Sequence, residues 1–571
     1  MKLGDFPIFD FSGGIRRDKS AFAMDKNELL NAQNVEIDEQ GRVKVRRGSY
    51  QIGDTLSGNL ENSFVFVRNV GGSTPAVTFI VNNNASTATL SRLRGARLTT
   101  AITTASTTVV TSDGNQFAAS GTVEIEGDLI AYTGVSTNTL TGVTGITSSH
   151  AVGAPIHQWV TLSQSGTAVD GRMGIYYAVL NNILLINGRA ANLKLIANDD
   201  GTTITDVSSE PSILFATNYR DRIYGAGDAS SGTNGDPRRV TFCNRGDPTT
   251  WTTASDFFDV EDQRGEPISG FKVLNDRLNI FKPNSIFSYD EIELKQRLFG
   301  VGAWNHKVIQ EINGIMFTFC PNGIFATNGL EAKSIGDPVK QYWKNFQPVY
   351  DSVGNRVVTN TFSGKFEDNY WLYIHDITDP ETINDVVLVY NTKVRAWTVF
   401  TGSFTDFYHF LSIERFRFGD SATQARAAIF GGDSSGKFYR FFESRYVDST
   451  STKRGGDVFE DLLSDTGSPV SAVIETPLYD LTQPGLYKPF HDMKVYSEQG
   501  GWHVDFRVED EGKGVTGYKS CGEMFYPIEP LTFPKDTRGY RLGLRFTTTQ
   551  TTFAPILNGF VIKDTEALNR K

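Results

Sequence analysis

A thirteen-residue stretch of this chain occurs twice in near copy. Asn275-Asp276-Arg277-Leu278-Asn279-Ile280-Phe281-Lys282-Pro283-Asn284-Ser285-Ile286-Phe287 aligns without a gap to Asn313-Gly314-Ile315-Met316-Phe317-Thr318-Phe319-Cys320-Pro321-Asn322-Gly323-Ile324-Phe325, 38 residues further on. Each copy reads as strand, Pro-Asn turn, strand. Proline presets φ at the first corner of a tight turn, the following Asn tolerates the second, and Ile-Phe restarts an extended run. A hairpin returning after about 40 residues has the period of a β-propeller blade.

With 571 residues the chain exceeds what one hydrophobic core can organise, so several domains are expected. Forty Phe and 21 Tyr against 55 Gly mark a folded, strand-rich and turn-rich chain. The formal charge of −10 argues against a general nucleic-acid binder, because a phosphate-contacting domain is normally basic. Cys243, Cys320 and Cys521 are odd in number and far apart, which suggests neither a disulfide framework nor a zinc site. The start, Met1 to Pro7, lacks the apolar stretch of a signal peptide, and no run approaches the length of a membrane span.

The reading along the chain is all-β. Residues 1–59 form an N-terminal arm: Asp25-Lys26-Asn27-Glu28 before Leu29-Leu30 reads as a capping box opening a short helix, and Val35 to Asp38 and Arg42 to Arg46 alternate as a hairpin. Residues 60–97 and 158–446 carry the propeller. Residues 98–157, rich in Thr, Ser and Gly, read as an inserted small β-domain, and 447–571 as a linker followed by a separate C-terminal β-sandwich. Asp337-Pro338 offers a helix start, with Val339, Tyr342, Trp343 and Phe346 forming one apolar face turned to the core.

Candidate sites compete with plainer accounts. Gly432-Asp433-Ser434-Ser435-Gly436 matches a nucleophile elbow, but an aromatic strand follows where a helix is needed, so a hairpin loop is favoured. Arg245-Gly246-Asp247 reads as a turn before Trp251, and Asn198 to Gly201 and Asp259 to Gly265 lack the ligand spacing of a calcium loop. Arg42, Lys44, Arg46 and Arg47 form the one compact basic run; a solvated strand face is favoured over contact with phosphate or an acidic partner. The histidines, at 150, 157, 306, 375, 409, 491 and 503, show no metal-ligand spacing. No catalytic residue, cofactor or metal is expected.

Two segments resemble a known family. Asn34-Val35-Glu36-Ile37-Asp38-Glu39-Gln40-Gly41-Arg42-Val43-Lys44-Val45-Arg46-Arg47-Gly48 resembles the opening of phage virion proteins, and Asn244-Arg245-Gly246-Asp247-Pro248-Thr249-Thr250-Trp251 with Leu278 to Ile286 resembles their core. The group is the tail nozzle proteins of short-tailed phages, also called tail tubular protein B or packaged-DNA stabilisation protein. Gly127 to Gly134, Thr139 to Gly145 and His150 to Ala154 resemble a small β-module of phage tail and baseplate proteins. The resemblance implies a non-enzymatic structural protein, a homo-hexamer in the virion tail, assembled in the host cytoplasm. It would sit below a tail adaptor or connector, beside fibre or spike proteins, lining and closing a channel for genomic DNA until ejection. An acidic lumen would let the duplex slide. The alternative is a propeller that binds or cleaves glycans in host receptor recognition, although no sialidase-type Ser-x-Asp-x-Gly-x-x-Trp box occurs. A cytosolic interaction propeller of the tryptophan-aspartate repeat type lacks its signature too.

Overall fold

The computed structural model describes residues 2–566 except 4, 68–75, 85–86, 165–175, 188–193, 197–202, 208–210, 212, 228–235, 253, 349–360, 376–384, 403–406, 417–425, 442–443, 448–457, 462–463, 466–467, 482–484, 551–553 and 564. The duplicated segments are the centres of two adjacent four-stranded antiparallel sheets. One runs Gly270–Leu274, Arg277–Phe281, Ser285–Tyr289 and Leu294–Phe299; the next runs Gln310–Ile312, Ile315–Cys320, Gly323–Thr327 and Ala332–Ser334. The Asn shared by both copies at their first position supplies the hairpin before the second strand. Asn275 and Asp276 take φ of 53° and 54°, and Asn313 and Gly314 take 51° and 79°. Two successive positive φ values match the right-handed twist of the flanking strands, and Asn, Asp and Gly adopt them at least cost. The Pro-Asn corner of each copy then joins its second and third strands. At this corner Asn322 Nδ2 donates to the Gly300 carbonyl at 2.7 Å, tying one sheet to the next.

Among the described residues, five more sheets repeat the pattern. Numbered as blades in chain order, blade 1 is Asn59–Val67, Ala76–Asn84, Thr87–Arg97 and Pro155–Thr161; blade 2 is Tyr176–Leu180, Ile183–Asn187, Lys194–Ile196 and Thr203–Asp206. Blade 3 is Ile213–Tyr219, Arg222–Gly227, Arg239–Phe242 and Phe257–Asp259; the duplicated sheets are blades 4 and 5. Blade 6 is Thr361–Phe366, Asn369–His375, Asp385–Asn391 and Ala396–Phe400. Blade 7 takes Phe407–Phe416, Arg426–Asp433 and Phe438–Phe441, and its fourth strand, Ser49–Gln51, comes from the N-terminal region. The first strands of successive blades touch, and that of blade 7 touches that of blade 1, so the circuit closes. This is the arrangement of a seven-bladed β-propeller, and borrowing one strand from the other end of the chain removes a free seam.

The axis of the ring is filled by the chain itself. Between blades 4 and 5 the 3-10 turn His306–Val308 is capped by Asn305, whose side chain accepts from Val308 N. The Lys307 ammonium donates to Glu61 O of blade 1 at 2.8 Å, Ser363 Oγ of blade 6 donates to Lys307 O at 2.7 Å, and Phe271 N of blade 4 donates to His306 Nδ1 at 3.1 Å. The His306 ring stacks on Phe215 of blade 3 at 5.3 Å. Burial pushes the pKa of His306 down to about 3 and that of Lys307 down to about 8.

The N-terminal region departs from the sequence expectation. No helix follows Asp25: residues 26 and 27 form a turn, and Glu28–Leu29 and Asn31–Gln33 are strands. Half of the capping box is nevertheless present, because Asp25 N donates to the Glu28 carboxylate at 2.8 Å. Leu29 and Ala32 are fully buried, and long-range pairing of their backbone outcompetes a local helix. Instead of a free arm, this region is built into the C-terminal sandwich. One sandwich sheet holds Asn31–Gln33, Ala472–Glu475, Arg541–Thr548 and His503–Asp510, and continues into blade 6 through Gln33 and Val399. The other holds Val35–Ile37, Val43–Val45, Ile556–Ile562, Asp492–Ser497 and Ile528–Thr532, with Phe6–Ile8 alongside Ile556–Ile562. Nor is the sandwich separate: one apolar cluster runs from Phe560, Val504 and Phe546 to Trp397, Leu372 and Phe319 of blades 6 and 5. Val339 and Phe346 are buried in that cluster, with Tyr342 and Trp343 packed against it, around a single α-helical turn, Lys340–Trp343.

The insert leaves blade 1 after Arg97 and returns at Pro155. It has its own core, including Leu98, Val109, Ile125, Tyr132 and Leu140. Its strand Gly121–Ile125 also pairs with the returning blade strand, through Glu124 to His157 and Ile125 to Ile156, so it extends the blade 1 sheet.

Candidate functional site

The first strands of blades 5, 6 and 7 lie side by side, so the turns at the ends of two of them and the flank of the third meet. Blade 5 brings Glu311, Ile312 and Asn313; blade 6 brings Lys365, Glu367 and Asp368; blade 7 brings Ser412, Ile413 and Ala427. Together they line an open cleft of about 430 Å³. The pairing of Phe366 with Asn369 leaves Glu367-Asp368 as a two-residue loop. Glu367 holds φ at 52° with its side chain in solvent, and makes no hydrogen bond or ion pair among the described residues. A glutamate in left-handed backbone costs about 1–2 kcal/mol relative to the ordinary helical region.

The other polar groups are fixed. Asp368 accepts from Asn313 Nδ2 at 2.8 Å and pairs with the Lys393 ammonium at 2.9 Å, which also binds Glu39 at 2.9 Å. The hydrogen bond from Lys393, then that from Asn313, hold Asp368 below its ordinary pKa, so it is ionised at neutral pH. Glu311 accepts from Gly314 N at 2.7 Å, and Ser412 Oγ accepts from Lys365 N at 2.7 Å. The result is three carboxylates, an amide, a hydroxyl and an amine around an apolar wall of Ile312, Ile413 and Ala427. That set can grip a ligand bearing many hydroxyl groups along one edge and C–H groups on its face.

The basic run lies elsewhere. Arg42 pairs with Asp38 at 2.7 Å and with Glu498 of the sandwich. Arg46 is buried, donates to Asn34 Oδ1 at 3.0 Å, and lies over the Phe400 ring at 5.5 Å. Lys44 and Arg47 flank it, half-buried, on a strand inside the sandwich and just beyond it. Instead of a solvated face, the run stitches the N-terminal region to blade 6 and the sandwich.

Gly432 to Gly436 is the hairpin turn between two strands of blade 7, with Asp433 accepting from Ser435 N at 2.9 Å and Lys437 N at 2.8 Å. Arg245-Gly246-Asp247 is a turn in which Asp247 accepts from Thr249 N at 2.9 Å. In the stretch from Asp259 to Gly265, Asp259 pairs with Arg239 and Asp262 with the buried Lys282. Asn198 to Gly201 lies outside the described residues. His150 in the insert sits between Glu126 at 2.8 Å and Asp128 at 3.0 Å; burial opposes its charge, but the two carboxylates outweigh it and raise its pKa. Among the described residues no three His, Cys, Asp or Glu side chains are grouped to hold a metal, and no helix is long and apolar enough to cross a membrane. Sequence reasoning missed the cleft because its lining comes from three blades, with Glu311 on one and Glu367 and Asp368 on the next; only the Glu367-Asp368 loop between alternating strands carried a local signal.

No family model and no curated protein matches the chain. Solved structures do align with it. A glycoside hydrolase is 11% identical, with 90% of this chain and 100% of that one covered and a TM-score of 0.22. An exo-β-1,3-galactanase from Phanerochaete chrysosporium, crystallised with β-1,3-galactotriose, is 9% identical over 70% of this chain and 98% of that one, with a TM-score of 0.24. The endosialidase of phage phi92 is 12% identical over 81% and 72%, with a TM-score of 0.26. These neighbours are named for glycan chemistry and run against the expectation of a non-enzymatic tail nozzle that lines and closes a DNA channel, which is not carried further. At such TM-scores they assign no activity to this chain, and what it does is argued below from its own residues.

Proposed function

We propose that the chain is a glycan-recognising propeller acting in host receptor recognition, carried on a phage tail. The observation that carries the reading is the cleft between blades 5, 6 and 7. Its volume of about 430 Å³ lies in the range of small-ligand sites. A sugar ring offers hydroxyl donors to Glu311, Glu367 and Asp368, accepts from Asn313 and Lys365, and lays its C–H face on Ile413 and Ala427. Charge-assisted hydrogen bonds of this kind are the stronger ones, and anchoring Asp368 through Lys393 means that no reorganisation is needed on binding.

A second reading, cleavage of the bound glycan, is favoured by one specific feature. Glycoside hydrolysis requires two carboxyl groups flanking one bond, and this cleft holds three, one of them fixed in the ionised state. The test is a glycan array probed with the whole protein, followed by product analysis on every glycan retained. Retention by the native chain and loss in Glu367→Gln and Asp368→Asn variants supports recognition. Released oligosaccharide that disappears in the same variants supports cleavage. An array with no retained glycan overturns both readings.

A further inference from the structure

We infer that His150 is a pH-set lock on the inserted β-domain, closed while its imidazole is charged and open when it is neutral. Every residue of the insert, 98–154, is described, and none of them is lysine or arginine. His150 is therefore the one side chain of the insert that can carry positive charge. It is fully buried, with Nδ1 at 2.8 Å from Glu126 Oε2 and Nε2 at 3.0 Å from Asp128 Oδ2. A carboxylate only accepts, so each contact needs an N–H, and only the doubly protonated ring has two. A neutral ring would turn a nitrogen lone pair toward one carboxylate.

Which contact gives way is set by the other donors. Asp128 also accepts from Thr147 N and Ser148 N, both at 2.9 Å, from Ser148 Oγ at 3.1 Å and from Thr147 Oγ1. The Glu126 carboxylate accepts from His150 alone among the described residues, in a turn with φ at 49°. Loss of the proton thus frees Glu126 to water and leaves the Asp128 loop in place. That turn ends the strand Gly121–Ile125, which joins the insert to blade 1 through Glu124 and Ile125, so the lock acts on the joint. The remaining charged groups are engaged elsewhere: Glu124 with His157 at 2.9 Å, Asp113 with Asn115 N at 3.1 Å, and Arg97 of blade 1 with Gly153 O at 3.0 Å. Ile102, which exchanges both backbone hydrogen bonds with His150, lies in a segment without charged residues. Burial opposes the imidazolium, but Glu126 and Asp128 outweigh it and raise the folded pKa above the ordinary 6.5. The contribution of the lock is then fully present below 6.5 and is lost as pH rises through the higher folded value.

The experiment uses the whole protein, isotope-labelled at histidine Cε1 and titrated by NMR, with hydrogen exchange over residues 124–130 followed in the same pH series and corrected for the intrinsic rate. The resonance absent from a His150→Gln variant identifies His150. Its midpoint should lie above 6.5, and protection of the Glu126 turn should fall about tenfold or more as that midpoint is crossed, while the Thr147 and Ser148 amides hold. Glu126→Gln keeps an acceptor for the Nδ1 proton but removes the charge, so it should lower both the midpoint and the pH at which the turn opens; this arm stands even if His150→Gln does not fold. A midpoint at or below 6.5 would overturn the inference, as would turn protection that does not follow the midpoint in the native chain and in Glu126→Gln. Protection lost from all blades at once would also overturn it, since the change would then not be a local lock.

Discussion

Asn34 and Glu367 both hold left-handed backbone, at φ of 56° and 52°, and their surroundings explain opposite roles. Asn34 is buried, and its side chain is fully used: Oδ1 accepts from Arg46 Nε at 3.0 Å and Thr401 N at 2.9 Å, while Nδ2 donates to Ser471 O at 2.7 Å. Those three partners belong to the N-terminal region, the end of blade 6 and the approach to the sandwich. The conformational cost is met by structure. Glu367 has no such return, and a strained residue whose side chain supports nothing in the fold points toward a ligand. One position holds the molecule together; on the proposed reading the other is kept for contact.

Four variants and one pH series can break that contrast. The largest effect should come from Asn34→Ala, which removes the acceptor of the buried Arg46 Nε and of Thr401 N; a loss of about 3 kcal/mol is expected, read as a lower urea midpoint. A change below about 0.5 kcal/mol would remove Asn34 from its role as the joint. Next, Glu367→Gln should weaken glycan binding by about 2 kcal/mol, the worth of a charge-assisted hydrogen bond, without moving the melting temperature. Altering Asn275 and Asp276 to Ala at the equivalent blade 4 turn should do the reverse, lowering stability and sparing affinity.

Smaller again is Glu367→Gly. Relief of left-handed strain, offset by the extra chain entropy of glycine, should leave the protein about 0.5 kcal/mol more stable while binding weakens. Opposite signs on stability and affinity are the mark of a position held for function; a loss of both would assign Glu367 to the fold. The smallest effect is the pH response of Lys393→Met. The folded pKa of Asp368 is depressed, so its contribution is present above the ordinary carboxylate value of 3.8 and is lost as pH falls through the lower folded value. Without the Lys393 ammonium, the acid limb of glycan binding should move up toward pH 3.8; a limb that stays in place would mean that Lys393 does not set the charge of Asp368.

What could be read without the structure follows the range of the interactions. The blades were legible because turn chemistry is local: Asn275-Asp276, Asn313-Gly314 and the two Pro-Asn corners specify hairpins within a few residues. The N-terminal region was not. The local sequence around Asp25 and Glu28 makes its capping contact at 2.8 Å, yet the strands after it pair with Val473 and Val399, over 360 residues away, and no nearby residue announces such partners. Arg46 misled for the same reason, since an alternating basic strand looks solvated until Asn34, Thr401 and Phe400 close over it. The cleft depends on blade order around the ring, which places Glu311, Glu367 and Ser412 together although they come from three separate hairpins.

The most direct measurement is a crystal structure of the whole protein soaked with the glycan that the array retains most strongly. The account predicts a sugar ring between the Asn313 and Glu367 turns, its hydroxyls on Glu367 and Asp368 and its C–H face on Ile413 and Ala427. Sugar bound at another face of the ring, or on the sandwich, with this cleft left to solvent would contradict it.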